Sequence, residues 1–515
     1  MKKLKVFSNI FVKNSYKMKK LKVKDMNLAS GGVLVAVLNE KDAFNFDLHH
    51  SDRLKLKNGR KEETVILDIS ESKKSVPRGQ IGLFEEVIDS LNIKKGDIIE
   101  MIPAGKPLSL EHIKKKLDGY KLSKKEIEQI VWDITHNKLS ESELTYFVAA
   151  CYGNQLDMQE TVWLTEAITK EGDILNIDRY PVMDKHCVGG VAGNRTTMIV
   201  VPIIAAAGLT IPKTSSRSIT SPAGTADTVE VLTNVDVNIK QMKKIVEKTN
   251  GCLVWGGSLN LAPADDKIIN VERPLSIDAK SQLLASVMSK KASVSATHLL
   301  IDIPVGFGSK ITDSKKAIKL KKDFETISKK LGIKVKVIIT DGKQPIGNGI
   351  GPGLEARDVL YVLRRDDRRP IDLEKKSLRL AGIMLELGGK SKKGEGIKDA
   401  NLILKSGKAY NKFIEIIEAQ GGKKIHPDKI KLGKFKFNLK AHKNGKIYSI
   451  SSISISKIAR IAGAPNDKGA GIYLYKHIGD KVKKGEIIFT VYAHNKLKLD
   501  FAKKTLKKIN GVVIK

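Results

Sequence analysis

The spacing of hydrophobic positions changes three times along the chain, and each change marks a different kind of domain. Between residues 21 and 103 the apolar residues fall in short alternating or continuous runs, VLVAVLNEKD, ETVILDIS, QIGLFEEV and GDIIEMIPAG, divided by turn residues. That period suits strands and predicts a small β-barrel with one helix over 84–91. From residue 109 to about 173 the period becomes helical. Ser123 with Glu126, Ser140 with Glu143 and Asp157 with Glu160 each place an S/D-x-x-E capping box ahead of an amphipathic run, so this part reads as short packed helices. From residue 174 onward LTIPKTS, CLVWGG, LLIDIPVG and VKVIITDG are each followed by a helical stretch, the alternation of an α/β domain with a mostly parallel sheet. Beyond residue 434 strand patterning returns in KFKFNLKAH, GKIYSISSIS, GIYLYKHIGD and GEIIFTVYAH, with GDKVKKG as a barrel-sandwich-like turn.

The expected fold class is therefore a multi-domain α/β protein. It comprises a basic extension over 1–20, an N-terminal small β-barrel over 21–107 that serves assembly, and a short-helix α domain over 108–175 joined by a later helical segment. A large α/β domain over 176–430 and a C-terminal barrel-sandwich-like α+β domain over 431–515 complete it.

The most apolar run, 198–211, is too short to span a bilayer and carries Pro202 and Gly208, so it reads as a core helix. Two polar, glycine-bearing loops flank it. The first, DKHCVGG over 184–190, follows an extended approach over 180–183 and precedes small residues, the order strand, glycine turn, helix start. Glycines there let backbone N–H groups approach a ligand, the helix N-terminus favours an anion, and Lys185 adds a point charge. The second, SSRSITSPAGTADTVE over 215–230, concentrates hydroxyls around Arg217 and opens a helix at Gly224 and Thr225, a second candidate anion cradle. Either cluster alone reads as an ordinary loop; two in succession point to two phosphates. The run GNGIGPG over 347–353 has the wrong spacing for a dinucleotide fingerprint and reads as a tight strand-to-helix turn.

Charge adds one competing reading. The 515 residues hold 92 Lys+Arg against 57 Asp+Glu, a formal charge of +35, large enough to raise nucleic-acid binding. The lysines are dispersed, however, many on polar helix faces such as that of 313–331, and aromatic residues are only 5%, without the interleaved aromatics of a base-reading surface. No nucleic-acid or membrane partner is expected. Cys151, Cys187 and Cys252 are widely spaced and the ten histidines show no paired spacing; neither disulfides nor a metal site are expected, which suits a cytoplasmic protein.

DKHCVGG, SSRSITSPAGTADTVE and, further on, SVMSKK over 286–291 resemble the signature segments of the thymidine/pyrimidine-nucleoside phosphorylase family, most closely its AMP phosphorylase branch. The resemblance implies a pentosyltransferase that uses orthophosphate to cleave a nucleoside 5′-monophosphate, with orthophosphate as co-substrate, no cofactor, and a homodimeric or larger assembly. It implies that Lys185, Gly189, Ser215 and Thr225 hold orthophosphate. Gly190, Ser216, Arg217, Ser218, Ile219, Thr220, Ser221, Thr225, Ser286, Lys290 and Lys310 would surround the nucleotide. Cys187 stands where the family usually has serine, which removes a hydroxyl contact. As a nucleophile with His186 for its base, Cys187 is disfavoured because adjacent residues rarely align that way. Asp278 matches the proton donor to the leaving base, a role that requires a raised pKa; the rival pair Asp265–Asp266 reads as part of a polar loop. Arg273 lies near the family's base-contacting arginine, at a shorter spacing than in the pyrimidine enzymes. Hydroxyls at Ser218, Thr220 and Ser221, where the nucleoside enzymes carry glycines and a histidine, favour a 5′-phosphate. The alternatives are a thymidine or pyrimidine-nucleoside phosphorylase and, from another class, a basic nucleic-acid-binding or scaffold protein on an inactive phosphorylase fold.

Overall fold

The computed structural model describes residues 18–515 apart from 73, 219, 220, 276, 278 and 510. Ile219, Thr220, Asp278 and the basic start through residue 17 therefore lie outside the described residues, as does the side chain of Arg273. The chain divides into two compact units, one running to Glu171 and taking in Pro263–Leu283, the other made of Gly172–Ala262 and Leu284–Lys515.

In the first unit six strands close a barrel: β1 (Lys19–Asp25), β2 (Val35–Asn39), β3 (Arg53–Asn58), β4 (Lys61–Ser70), β5 (Gln80–Leu83) and β6 (Ile98–Ala104). They run in the order β1-β5-β2-β4-β3-β6, with β6 returning to β1. Closure leaves no free edge. Alternate residues such as Leu21, Val23, Leu54, Leu56, Val65 and Leu67 fill the interior. Two helices accompany the barrel rather than one, because Asn39 caps a turn of helix over Glu40–Asn45 through its side chain; the polar end of VLVAVLNEKD is helix, not strand.

The three capping boxes form as the sequence predicts, opening helices Lys124–Thr135, Glu141–Gly153 and Met158–Lys170. A buried ion pair fixes their packing: Glu160 accepts from Lys116 Nζ at 3.0 Å and from the Leu122 N–H at 2.8 Å. The helix Pro263–Leu275 belongs to the same unit, and its Lys267 ammonium donates to the carbonyls of Ile134 and Thr135 at 2.9 and 2.7 Å. A lysine at a helix C-terminus satisfies carbonyls left without partners. Burial pulls the Lys267 pKa down to about 8. Asp265 and Asp266 lie in the first turn of this helix, not in a polar loop; acidic residues there suit the positive helix end.

The second unit is built on parallel strands β7 (Met183–Cys187), β8 (Ile211–Ser215), β9 (Gly251–Trp255), β10 (His298–Val305) and β11 (Lys334–Asp341). β10 lies between β11 and β7, β8 pairs with β9, and a parallel bridge joins Val182 to Thr210. The spatial order is thus β11-β10-β7-β8-β9. The chain builds outward from β7 to β9 and then returns to place β10 on the other side of β7, so the sheet has its topological switch point between β7 and β10. Ligands of open parallel sheets bind beyond the carboxyl ends of the strands at such a point. Behind the sheet, the helix Thr196–Ala206 is buried from Thr196 to Ala205, which explains its unbroken apolarity. It stops at Ala206, and Ile211 begins β8, so the expected core helix is shorter than its apolar run.

In the C-terminal part, strands Phe435–Lys440, Gly471–Leu474, Ile487–Ala493 and the two-residue Gly349–Ile350 form one antiparallel sheet, and Gly445–Ile450, Lys481–Val482 and Val512–Ile514 another. The end of GKIYSISSIS turns into the helix Ser452–Ile461, capped by Ser451. Among the described residues no helix is long and apolar enough to cross a membrane.

Replacing Glu160 by Ala strands the Lys116 ammonium, which is 2% exposed, and is expected to cost about 3–5 kcal/mol in denaturant unfolding. Glu126→Ala, at a partly exposed capping box, is expected to cost roughly 1 kcal/mol.

Candidate functional site

The first loop grows out of β7. Asp184 to Cys187 are strand residues and the turn itself begins at Val188, so Lys185 projects from the sheet rather than from a loop. Gly189 and Gly190 have φ of +98° and +92°. A Cβ on Gly190 would come within 2.2 Å of the Lys310 backbone nitrogen, so glycine is required for close approach as well as for conformation. Lys310 N donates to Gly189 O at 3.3 Å, and Val188 N donates to Asp302 O at 3.0 Å. The loops that follow β7 and β10 therefore meet at the switch point, and Gly189, Gly190 and Lys310 come together there.

Lys185 is 1% exposed, and its ammonium donates to the hydroxyls of Thr196 and Thr197 at 2.8 and 3.2 Å. Burial lowers its pKa, with Lys376 and Arg195 adding to the effect against the raising influence of Cys187 and Asp302. Cys187 donates to Asp302 Oδ2 at 3.6 Å and accepts from Asn194 Nδ2 at 3.3 Å; burial, then Asp302, pushes its thiol up, the opposite of what a nucleophilic thiolate needs. His186 is held well below its ordinary value by burial and then by Lys291, Lys213, Lys185 and Lys310, so it is neutral at physiological pH.

The second loop follows β8. Ser215 ends the strand and donates to Val254 O at 3.2 Å. Arg217 lies over the Trp255 ring, 4.7 Å from its centroid, and donates to Glu230 at 2.9 and 2.5 Å. Lys468 reaches the same carboxylate at 2.5 Å. The Arg217 hydrogen bond, and then Lys468, hold the Glu230 pKa down at about 2. Two of the backbone donors that the sequence offered as an anion cradle are engaged within the loop: Asp227 Oδ2 accepts from Ser218 N and Gly224 N, both at 2.7 Å. The helix that follows, Thr225–Val229, has only five residues. The loop also carries side-chain hydroxyls. Of these, Ser221 donates to Ala223 O at 2.9 Å and Ser218 to Ser221 O, while Ser216, an exposed residue, folds its backbone carbonyl back to accept from Ala226 N at 3.3 Å.

One residue absent from the sequence expectations joins the loops. Arg195, at the end of the first, donates to Thr225 Oγ1 at 3.2 Å and to Ala223 O at 2.6 Å. Its guanidinium is paired with Glu355, a 1% exposed carboxylate that also accepts from Thr228 Oγ1 at 2.9 Å. Thr196, Thr197 and Asp302 are likewise part of the constellation. The local signal was NRTT directly after the glycines, a cation and two hydroxyls at a helix start; nothing near it in sequence supplies Glu355.

Ser286 and Lys290 lie one turn apart on the helix Lys280–Ser293, both partly buried. Beneath them Lys291 and Lys213 share Asp184, at 2.6 and 3.2 Å. Burial lowers the Lys291 pKa to about 8. Among the described residues no three His, Cys, Asp or Glu side chains gather as a metal site would require.

Comparison with known proteins bears on this geometry. Residues 110–172 match the helical bundle domain of a glycosyl transferase family, 179–410 its a/b domain, and 446–512 the pyrimidine nucleoside phosphorylase C-terminal domain. The chain is 47% identical over 482 residues to the AMP phosphorylase of Pyrococcus furiosus, covering 93% of this chain and 95% of that one. It is 48% identical over 484 residues to that of Thermococcus kodakarensis (94% and 95%) and 44% over 500 residues to that of Methanocaldococcus jannaschii (96% and 98%). Among solved structures, anthranilate phosphoribosyltransferase from Thermus thermophilus superposes with a TM-score of 0.51 at 16% identity, covering 60% of this chain and 99% of that one, a likeness of fold.

The first loop rests on residues 346–349, since a Cβ on Gly193 would lie 2.2 Å from Ile346 O. That segment is held by Asp358, whose Oδ2 accepts from Asn348 N and Gly349 N at 2.7 Å. Burial raises the Asp358 pKa to about 7, against those two hydrogen bonds. The folded protein thus keeps a proton that the unfolded chain releases near pH 4, so this group makes stability fall as pH rises from about 4 to 7, by at most about 4 kcal/mol. Asp358→Asn is expected to flatten that slope in unfolding measured at several pH values, while leaving stability at pH 4 nearly unchanged.

Proposed function

The chain belongs to the AMP phosphorylase family and catalyses phosphorolysis of AMP; from that premise we propose that it releases adenine and ribose 1,5-bisphosphate and accepts CMP and UMP as well. The observation that most supports the site assignment is that two loops after neighbouring parallel strands are tied together by Arg195 beside the sheet's switch point.

Orthophosphate is already an anion at neutral pH, so the protein has to position it against the anomeric carbon and keep water away. Lys185, Gly189, Ser215 and Thr225 take that part, with Thr196 and Thr197 beside Lys185. An arriving phosphate offsets the desolvation that depresses the Lys185 pKa and so favours its charged form. The nucleotide lies against Gly190, Ser216, Arg217, Ser218, Ile219, Thr220, Ser221 and Thr225, with Ser286, Lys290 and Lys310 toward sugar and base. Its 5′-phosphate takes Arg217 over from Glu230, and Lys468 remains on that carboxylate as a counter-cation.

As the glycosidic bond lengthens, positive charge develops on the sugar and negative charge on the base, by analogy with other glycosyl transfers. Asp278 protonates the leaving base. The reaction needs no cofactor, the protein works in the cytoplasm, and the N-terminal barrel serves assembly into a homodimer or larger oligomer.

Because the second loop carries hydroxyls and Arg217, kcat/KM for AMP is expected to exceed that for adenosine by on the order of 10³-fold or more. Equal turnover of the two, with free adenine followed in the presence and absence of orthophosphate, contradicts the nucleotide site. Asp278→Asn keeps size and polarity but cannot donate a proton to the base, so kcat is expected to fall by roughly 10² to 10⁴ with little change in KM. Asp266→Asn is the control. A larger loss in the control than in the Asp278 variant reverses the assignment.

A further inference from the structure

We propose that Arg195 is a positioning residue for phosphorolysis, acting through Thr225: it fixes the Thr225 hydroxyl as a hydrogen-bond donor toward the attacking phosphate. The inference rests on the assignment of Thr225 to the phosphate site.

A threonine hydroxyl has one proton and two lone pairs and turns to suit its neighbours. Beside an anion it is useful only when the proton points at the anion. Arg195 cannot accept a hydrogen bond, and its Nη1 donates to Thr225 Oγ1 at 3.2 Å. That contact occupies a lone pair and leaves the proton to be given away from the guanidinium. The guanidinium itself is held rigidly. Nε is paired with the Glu355 carboxylate, Nη2 donates to Ala223 O at 2.6 Å, and Nη1 donates also to Asn194 O at 3.3 Å. Glu355 is in turn fixed by Thr228 Oγ1 at 2.9 Å and Gly351 N at 3.1 Å.

Both members of the pair are buried, Arg195 at 9% and Glu355 at 1% exposure, so neither is a solvated surface charge placed there by chance. A buried fork with a partner on each of its three nitrogens costs little reorganisation when charge arrives. Lysine in its place keeps the charge opposite Glu355 but lacks the planar fork needed to reach Thr225 and Ala223 together.

The test is a double-mutant cycle on the full-length protein, with apparent KM for orthophosphate and kcat measured at saturating AMP. Thr225→Val is expected to raise the phosphate KM roughly 10- to 100-fold, the worth of one hydrogen bond to a charged group. Arg195→Met is expected to do the same, and the double variant to be no worse than Thr225→Val alone, because the two residues act in one chain. Arg195→Lys, which preserves the charge pair and serves if Arg195→Met does not fold, is expected to raise the phosphate KM by a similar factor with unchanged far-ultraviolet circular dichroism. Multiplying effects in the cycle, or a normal phosphate KM in a folded Arg195→Lys protein, overturn the inference. A normal phosphate KM in Thr225→Val overturns the assignment of Thr225 itself and is distinguished by that single variant.

Discussion

Asp184 is the constraint around which the second unit is arranged. It is fully buried in the middle strand of the parallel sheet and binds two lysines, Lys291 at 2.6 Å and Lys213 at 3.2 Å, while accepting the Lys185 N–H at 2.6 Å. Burial pushes its pKa up, but the two lysines and those hydrogen bonds outweigh burial and hold it below the ordinary carboxylate value. A buried carboxylate without such partners would be untenable. The partners come from β8 and from the helix Lys280–Ser293, so one carboxylate sets where the second loop begins and how the helix bearing Ser286 and Lys290 lies against the sheet. Two lysines against one carboxylate also leave excess positive charge under the first loop. That excess adds to burial in keeping His186 neutral and raises the local attraction for an anion far more specifically than the dispersed surface charge does.

The fold was legible wherever an element satisfies itself locally. Ser123, Ser140 and Asp157 announce helices because each cap is closed by a residue three positions on. Strands β9 and β10 were legible as mostly apolar runs because they are buried along nearly their whole length. Legibility failed where a polar residue changes role with context. Asn39 ends strand β2 as it reads, but its side chain also caps the residues that follow, which are helix rather than strand. Asp265 and Asp266 read as loop residues, yet they sit in the first turn of a helix whose lysine closes another helix of the same unit. Strand β3, RLKLKN, was missed because it alternates toward lysine stems whose charged ends stay in water.

Within the site, the glycines and hydroxyls were visible because their spacing along the chain is itself the signal, and the placement of Gly190 against Lys310 supplies the physical reason for the glycine. Arg195 was not visible. Its significance depends on Glu355, far along the chain, and on Thr225 and Ala223 across the intervening helix and β8. Asp227 misled in the other direction. It is adjacent in sequence to the hydroxyls, but it takes the Ser218 and Gly224 N–H groups for itself and so turns a prospective backbone cradle into a stiff scaffold.

That stiffening changes how the second loop would recognise a phosphate. A cradle of backbone N–H groups binds any oxyanion that fits; here Asp227 takes two of those N–H groups, and the guanidinium of Arg217 is already engaged with Glu230. Glu230 stays ionised throughout the physiological range, since Arg217 and Lys468 hold its pKa at about 2. On the proposed reading a ligand must offer Arg217 something as good as that carboxylate before the pair will open. A nucleoside 5′-hydroxyl is neutral and has no charge to exchange for it, whereas a 5′-phosphate dianion matches it and finds Lys468 ready to keep Glu230 neutralised. Discrimination then resides less in attraction to the nucleotide than in the cost of the exchange, which a nucleoside meets and a nucleotide avoids.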